Sequence, residues 1–153
     1  MEGVKIRDFV PADMEKILGY REESGSISFP GLAIDKEKER KHIKEHASKH
    51  PGTIKVAETG GRMAGYIRFH VKESSFGDYG IIDAIFVEKG CRKTGIGKLL
   101  HDAAERHLLS MGINEMEAVV TDTNLPSLGF FRSRGYEKRR TVLSKRMDAA
   151  AAR

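Results

Sequence analysis

The sequence is poor in cysteine and has no long apolar segment. Its single cysteine, Cys91, excludes an internal disulfide and a metal site built from several thiolates. No apolar run approaches the roughly 20 residues that cross a bilayer, and the first residues contain no apolar signal core. We therefore expect a cytoplasmic protein with no membrane partner. The 153 residues fit one domain, over 1–148, and the alanine-rich tail at 149–153 is expected to be frayed.

Positive charge is concentrated near the end of the chain. The sequence has 27 basic and 22 acidic residues, for a net charge of +5. Between 132 and 146, seven basic residues accompany the one acid Glu137: Arg132, Arg134, Lys138, Arg139, Arg140, Lys145 and Arg146. We refer to this stretch as the basic segment. It suits a nucleic acid, a membrane surface or a small polyanionic ligand, and a solvated basic strand is the alternative interpretation.

Strand and helix patterns are mixed along the chain. Apolar alternation predicts strands at 3–9, 53–58, 62–71, 81–87 and 116–120, and helical spacing predicts helices at 11–18, 35–50, 96–111 and 124–134. The strand at 62–71 has the alternation of a half-buried strand, whereas 81–87 is almost continuously apolar and is expected to be covered on both faces. We expect a loop over 24–32 and a final strand or hairpin over 137–147.

A loop rich in glycine and positive charge precedes the third predicted helix, with the pattern Arg92-x-x-Gly95-x-Gly97. The start of a helix leaves N–H groups unpaired and carries partial positive charge, so it binds anions, and glycine lets an anion approach the main chain closely. Leu100 stands where a dinucleotide fingerprint needs its third glycine. Arg92 and Leu99 stand where a Walker A loop needs glycine and Ser or Thr. Both nucleotide motifs are therefore excluded.

The pattern instead resembles the acyl-CoA pyrophosphate loop of the GNAT superfamily of N-acetyltransferases. The family's N-x-x-A/S-x-x-x-Y/F-x-x-x-G-F/Y helix and turn is matched by Asn124, Ser127, Phe131, Gly135 and Tyr136. The resemblance is specific over 79–138 and only topological before that. It implies an α/β (α+β) three-layer fold with a mixed, mostly antiparallel sheet that is splayed at the fourth strand, with helices on both faces.

The resemblance also implies a function, the transfer of an acetyl group from acetyl-CoA to a primary amine by direct attack in a ternary complex. The acceptor would be a small molecule or a protein amino group. The main chain of Ile85, Phe86 and Val87 would bind the pantetheine arm, and the N–H of Val87 is the candidate oxyanion donor. Asn124 would steady the arm from the other side. The pyrophosphate would contact Arg92, Lys93, Thr94, Gly95, Ile96, Gly97 and Lys98.

The resemblance has one departure, which affects the departing sulfur. Phe131, which the resemblance also places at the acetyl-CoA site, stands where the family often has a tyrosine that protonates this sulfur, and phenylalanine has no proton to donate. A thiol has a pKa near 8.5, so its thiolate leaves tolerably well unaided. Water, Tyr136 or Tyr79 are the alternative proton sources, and we interpret Tyr136 as a core residue.

The general base implied by the resemblance is Asp83, because the family often has a carboxylate on this strand. With the strand period of two, Asp83 is expected to share a face with Ile85 and Val87. The alternative is a structural aspartate that pairs with a neighbour such as Arg68.

Other polar clusters are interpreted as surface features. His42, His46 and His50 share one helical face that could bind zinc or nickel, but without an H-E-x-x-H pattern a surface helix is expected and no metal is assigned. Glu22 and Glu23 could attract a cationic amine, but we favour their interpretation as exposed surface acids.

The competing hypothesis for function is a non-catalytic module that binds acyl-CoA, or a nucleic-acid-associated module that uses the basic segment. We favour the acetyltransferase and do not expect nucleic acid as a partner. A homodimer formed through a sheet edge is compatible with the sequence.

Overall fold

The protein forms a five-stranded sheet with helices on both faces. The computed structural model describes residues 3–148 and Ala150, so the expected frayed tail otherwise lies outside the described residues. No helix of the described chain is long and apolar enough to cross a membrane. Short 3₁₀ turns occur at Pro11–Asp13 and Lys89–Cys91. The strands are β1 Val4–Asp8, β2 Ile54–Thr59, β3 Arg62–Lys72, β4 Tyr79–Val87 and β5 Met116–Ala118, and the helices are α1 Met14–Ser28, α2 Lys36–Lys49, α3 Ile96–Ser110 and α4 Leu125–Ser133.

The sheet is interrupted between β4 and β5. Strand order follows the chain, with β1 to β4 antiparallel and β5 parallel to β4. Only residues 80–82 of β4 pair with residues 116–118 of β5. From Asp83 to Val87, β4 keeps β3 on one side and, among the described residues, has no strand on the other. This is the predicted splay at the fourth strand, and it leaves an open backbone edge.

Two apolar clusters lie on opposite faces of the sheet. One joins α1 and α2 to the sheet through residues such as Ile17 and Ile43, and the other joins α3 to it through Leu100 and Leu108. Because both faces are covered, every residue from Met63 to Ile67 is buried. The prediction of a half-buried strand over 62–71 was therefore wrong for the middle of β3.

A bulge in β4 changes the direction of one important side chain. Arg68 is opposite Ala84 and Phe69 is opposite Ile82, so Asp83 is an extra residue between two paired positions. A bulge reverses the alternation of faces beyond it. Asp83 therefore reaches the face covered by α2, whereas Ile85 and Val87 pack on the α3 face. The prediction that these three residues share a face was wrong.

Two other segments differ from the sequence predictions. Residues 24–28, expected in a loop, continue α1. No proline lies between Met14 and Pro30 to end the helix, and the Ser24 and Ser26 hydroxyls donate to carbonyls three residues earlier, which a helix can accommodate. Residues 137–147 form no strand, because their apolar side chains are exposed and no strand lies beside them to pair with. Arg139 and Arg140 instead attach this segment to Glu115 and Glu117 through ion pairs.

The contact between β3 and β4 leaves no room for a side chain at Gly65. A Cβ there would lie 2.5 Å from the Phe86 carbonyl oxygen and 3.2 Å from Val87 Cα. We predict that Gly65→Ala lowers the free energy of unfolding by about 1–3 kcal/mol in urea denaturation. Gly19→Ala, on the exposed side of α1 with open space around it, is the control and should add up to about 1 kcal/mol. Equal stability of the two variants would contradict this packing.

Candidate active site

The open edge of β4 presents unpaired backbone groups. The backbone N–H of Glu88 donates to the Ala64 carbonyl at 2.8 Å, so the backbone N–H group of Glu88 points toward β3. Alternate residues of an antiparallel strand point their N–H and C=O groups to opposite sides. The N–H groups of Ile85 and Val87 therefore point away from β3, to the side that β5 no longer covers. A bound extended molecule could pair with them as an added strand would.

The loop after β4 ends in a helix start suited to an anion. Gly95 begins α3 with φ +90°, and no side chain caps the helix there. Lys93 also has a positive φ, 61°, which is uncommon for a residue with a side chain. The first turn of α3 contains no acid, and its N–H groups lack intrahelical acceptors. This uncapped, acid-free turn fits the diphosphate of a coenzyme A molecule.

The side chains predicted at the diphosphate take different positions. Lys93 and Lys98 are exposed at the loop and the first turn of α3. Arg92 Nε donates to the Val87 carbonyl at 2.8 Å, and its guanidinium lies 5.3 Å from the Phe86 ring centroid. Arg92 thus fixes the loop to the end of β4, and its other guanidinium N–H groups remain for a ligand.

Three residues of the loop offer mainly their backbone. The Thr94 hydroxyl donates to the Cys91 carbonyl, and Ile96 is buried in the core. Gly97 lies at the contact between α3 and α4, because a Cβ there would be 3.2 Å from the Phe130 ring. The missing side chain therefore lets α3 and α4 pack closely. It would also let an anion approach the main chain.

The two predicted site residues near α4 have structural contacts. Asn124 caps α4, where its Oδ1 accepts from the Ser127 N–H at 3.4 Å, and its NH₂ group remains for a ligand. Phe131 is buried edge-to-face between Phe130 and Tyr136. Its place in the core, like its chemistry, excludes it as a proton donor.

Tyr136, the alternative proton source, belongs to a buried pair. Its hydroxyl lies 2.8 Å from Nε2 of His101, whose ring is 1% exposed. Burial raises the pKa of Tyr136, and burial together with Arg134 lowers the pKa of His101 below its usual 6.5. Both groups are therefore neutral at pH 7, and they share one hydrogen bond.

Asp83 lies in a cluster that the sequence patterns did not reveal. Its Oδ2 is 2.7 Å from Nδ1 of His70 on β3 and 3.8 Å from Nδ1 of His46 on α2. Burial lowers the pKa of His46 to about 4, with a smaller contribution from Arg68, so this ring is neutral at pH 7. His46 is buried, contrary to the surface position expected for it. Arg68 pairs with Glu39, not with Asp83.

The signal for this cluster was divided among distant positions. His46 lies on the helix face that carries three histidines in the sequence. His70, in contrast, is one polar residue among several in an alternating strand. The bulge that turns Asp83 toward both rings has no sequence signature. An open depression of about 200 Å³ borders the cluster, lined by the three α2 histidines and by Arg68 and His70.

The basic segment carries less free charge than its composition indicates. Arg134 pairs with Asp102, Arg139 with Glu115 and Arg140 with Glu117. Four of its seven basic residues have no ion pair within the described chain. Among the acids near α1, Glu22 pairs with Lys36 at 2.7 Å, as an exposed surface acid would.

Comparison with known proteins identifies the family. Residues 20–136 match the Acetyltransferase (GNAT) family over about three quarters of the chain. The chain belongs to the GNAT acetyltransferase family. This confirms the predicted family, its acyltransferase class and its fold. The family uses acetyl-CoA, so the predicted acyl donor is supported at that level.

Individual relatives of this GNAT domain are distant. A mycothiol acetyltransferase of Pseudarthrobacter chlorophenolicus is 24% identical over 147 residues, which are 90% of this chain and 43% of that protein. The chain thus spans less than half the length of that relative. A possible acetyltransferase of Clostridium difficile 630 has a TM-score of 0.76 at 16% identity, covering 96% of this chain and 99% of the other.

A further solved structure contains the coenzyme. The aminoglycoside N-acetyltransferase AAC(6')-Iy in complex with CoA matches with a TM-score of 0.74 at 20% identity, over 94% of each chain. At these identities the two structures confirm the fold of this GNAT domain.

The Tyr136–His101 pair leads to a stability prediction for the GNAT domain. Tyr136→Phe leaves His101 Nε2 buried without its hydrogen-bond partner, so the free energy of unfolding at pH 7.5 should fall by about 1–3 kcal/mol. Tyr136→Phe/His101→Leu removes both partners and should cost less than the two single changes added together. Urea denaturation measures both. If Tyr136→Phe is as stable as the wild type, the hydroxyl is not part of such a pair.

The same pair gives the sign of a pH dependence. Because the pKa of His101 is lowered in the folded state, the unfolded chain takes up the proton first as the pH falls. This contribution to stability is present above pH 6.5 and is lost as the pH falls below it. The double variant should lose less stability between pH 7.5 and 5 than the wild type.

Proposed function

We propose that this GNAT domain transfers an acetyl group from acetyl-CoA to a primary amine, which attacks directly in a ternary complex. The observation that carries this proposal is the open edge of β4, which is followed, after the loop at 88–95, by the uncapped start of α3. An extended thioester arm with a diphosphate at its end matches such a site in both shape and charge. The acceptor, a small molecule or a protein amino group, would approach from the α2 face.

The donor would be held mainly by the main chain. The N–H groups at the start of α3 would bind the diphosphate, with Lys93, Lys98 and the free end of Arg92 adding charge. The pantetheine arm would pair with the edge of β4 at Ile85 and Val87. The Asn124 amide would face the arm from the side of α4.

Strand spacing helps to place the oxyanion donor. Strand residues rise about 3.3 Å each, so Ile85 is about 7 Å and Val87 about 13 Å along β4 from Asp83. A thioester polarised by the Ile85 N–H is therefore within reach of Asp83 through one water, whereas one at Val87 needs a longer relay. This spacing favours Ile85 over Val87 as the donor. One fixed donor of this kind typically contributes a factor of about 10²–10³ to the rate.

Asp83 and His70 would together accept the proton of the amine. A primary amine such as lysine's has a pKa near 10.4, so it must lose a proton before or during attack. The carboxylate lies 2.7 Å from the imidazole, and a histidine supported by a carboxylate is a better base near pH 7 than a carboxylate alone. As the amine nitrogen bonds to the carbonyl carbon and the C–S bond breaks, the released thiolate would take its proton from water.

The competing nucleic-acid hypothesis is weakened by the ion pairs of the basic segment. Three of its arginines are paired with acids near β5 and α3, so fewer cations are available to release counterions from a polyanion. A nucleic-acid-binding module would also leave the acid-free start of α3 unexplained.

We predict that Lys98→Glu weakens acetyl-CoA binding about tenfold or more at low salt, since it places a negative charge at the start of α3. Lys44→Glu, an identical charge change on the exposed side of α2, is the control and should leave the affinity unchanged. Calorimetric titration with acetyl-CoA measures both. Gly97→Glu would add the same negative charge, but its side chain would also collide with Phe130, so its effect on affinity would not isolate the charge. Equal affinities for the two variants would place the diphosphate elsewhere.

We predict that Asp83→Asn lowers kcat by about 10²–10⁴ and leaves the KM for acetyl-CoA unchanged. Part of the loss should be recovered at higher pH, where more of the amine is already neutral. Glu22→Gln, which also removes one carboxylate, is the control and should behave as the wild type. Thiol release with an amine acceptor panel gives both readouts. An unchanged kcat and pH profile for Asp83→Asn would overturn the assignment of the base.

A further inference from the structure

The cluster around Asp83 contains two hydrogen-bond acceptors that lie close to each other. The Thr53 hydroxyl has a single proton, which it donates to the His50 carbonyl. His46 Nε2, 2.9 Å from that hydroxyl oxygen, must therefore be the donor of their hydrogen bond. In a neutral ring this leaves the lone pair on Nδ1, directed toward Asp83 Oδ2 at 3.8 Å. Two acceptors at this separation leave room for a cation between them.

His70 completes a set of three ligand atoms from three elements. His46, His70 and Asp83 each contribute one atom, and these atoms all lie within 4.8 Å of one another. In a tetrahedral zinc site, bonds of about 2.0–2.1 Å hold neighbouring ligand atoms about 3.3 Å apart. The observed separations of 3.8 Å and 2.7 Å from Asp83 Oδ2 lie on either side of this value.

The third α2 histidine, His50, lies beside this set, but its nitrogens are not among the ligand atoms that lie within 4.8 Å of one another. Two imidazoles on one tetrahedral zinc ion have ring centroids about 5 Å apart. The centroids of His46, His50 and His70 are separated by 5.2, 5.8 and 5.1 Å. The bond from His46 to Thr53 is the outer contact that metal-binding histidines usually have, since it fixes which nitrogen is free.

We propose that His46, His70 and Asp83, with the ring of His50 adjacent, form a binding site for a zinc-like divalent transition metal ion. Imidazole nitrogen with one carboxylate suits Zn²⁺ or Co²⁺, whereas Mg²⁺ and Ca²⁺ prefer oxygen ligands. Two cationic side chains, Arg68 and Lys49, border the depression. Arg68 is paired with Glu39 at 3.4 Å, so the carboxylate of Asp83 remains available to balance the charge of the metal ion. On binding, the metal ion would replace the proton between His70 and Asp83.

One consequence of this site rests on the proposed function. If Asp83 and His70 accept the amine proton, a metal ion that occupies their lone pairs prevents it, and zinc would inhibit acetyl transfer. The binding of zinc itself does not depend on that role, so the two are measured separately.

The test is calorimetric titration of the purified chain with Zn²⁺ alone, and with Mg²⁺ for comparison. We expect one Zn²⁺ per chain, little Mg²⁺ binding, and a visible absorption band of tetrahedral geometry when Co²⁺ is used. His70→Ala should lower the Zn²⁺ affinity at least tenfold. Thr53→Val, which frees the other nitrogen of His46, should lower it about ten- to a hundredfold. His42→Ala, one turn before His46 and exposed, is the control and should bind as the wild type.

Two results would overturn the proposal. The first is the absence of Zn²⁺ binding at micromolar concentration by a folded wild-type chain. The second is an equal loss of affinity in His42→Ala and His70→Ala, which would indicate an adventitious chelate on the surface of α2. The circular dichroism spectrum of each variant shows whether it is folded. Loss of Zn²⁺ inhibition with retained Zn²⁺ binding would contradict only the consequence for catalysis.

Discussion

The early end of the β4–β5 pairing is the constraint on which the rest of the structure depends. A continuous sheet would use the N–H groups of Ile85 and Val87 internally, and a bound molecule could not reach them. Because only three residues of each strand pair, β4 crosses the core with one edge free. Separating β4 from β5 loses hydrogen bonds of the sheet. The helices on both faces limit the resulting loss of stability, because they keep the middle of β3 and β4 packed.

The bulge at Asp83 relates this open edge to the opposite face. Before the bulge, β4 still pairs with β5, and after it the outward N–H groups belong to Ile85 and Val87. The extra residue points its carboxylate toward the face covered by α2, where it meets His46 of α2 and His70 of β3. One irregularity thus separates a main-chain surface, suited to an acyl donor, from a cluster of titratable side chains. Donor and acceptor chemistry can then meet at the strand without competing for the same groups.

Sequence patterns predicted what depends on local order. The helical spacing from Ile96 and the loop with Gly95 and Gly97 indicated α3 and the family. The patterns failed where distant residues decide the outcome. No spacing rule places His70 beside Asp83, because that contact needs the β3–β4 register and a bulge. The continuation of α1 to Ser28 and the irregular path of 137–147 likewise depend on hydroxyl bonds and on which strands are present to pair.

Amide hydrogen exchange along β4, with and without acetyl-CoA, tests the central claim most directly. In the free protein the N–H groups of Ile85 and Val87 should exchange much faster than that of Phe86, which faces β3. Acetyl-CoA should protect those two groups and the first turn of α3, and should change little in the basic segment. Slow exchange at Ile85 and Val87 in the free protein, or protection confined to the basic segment, would contradict the account.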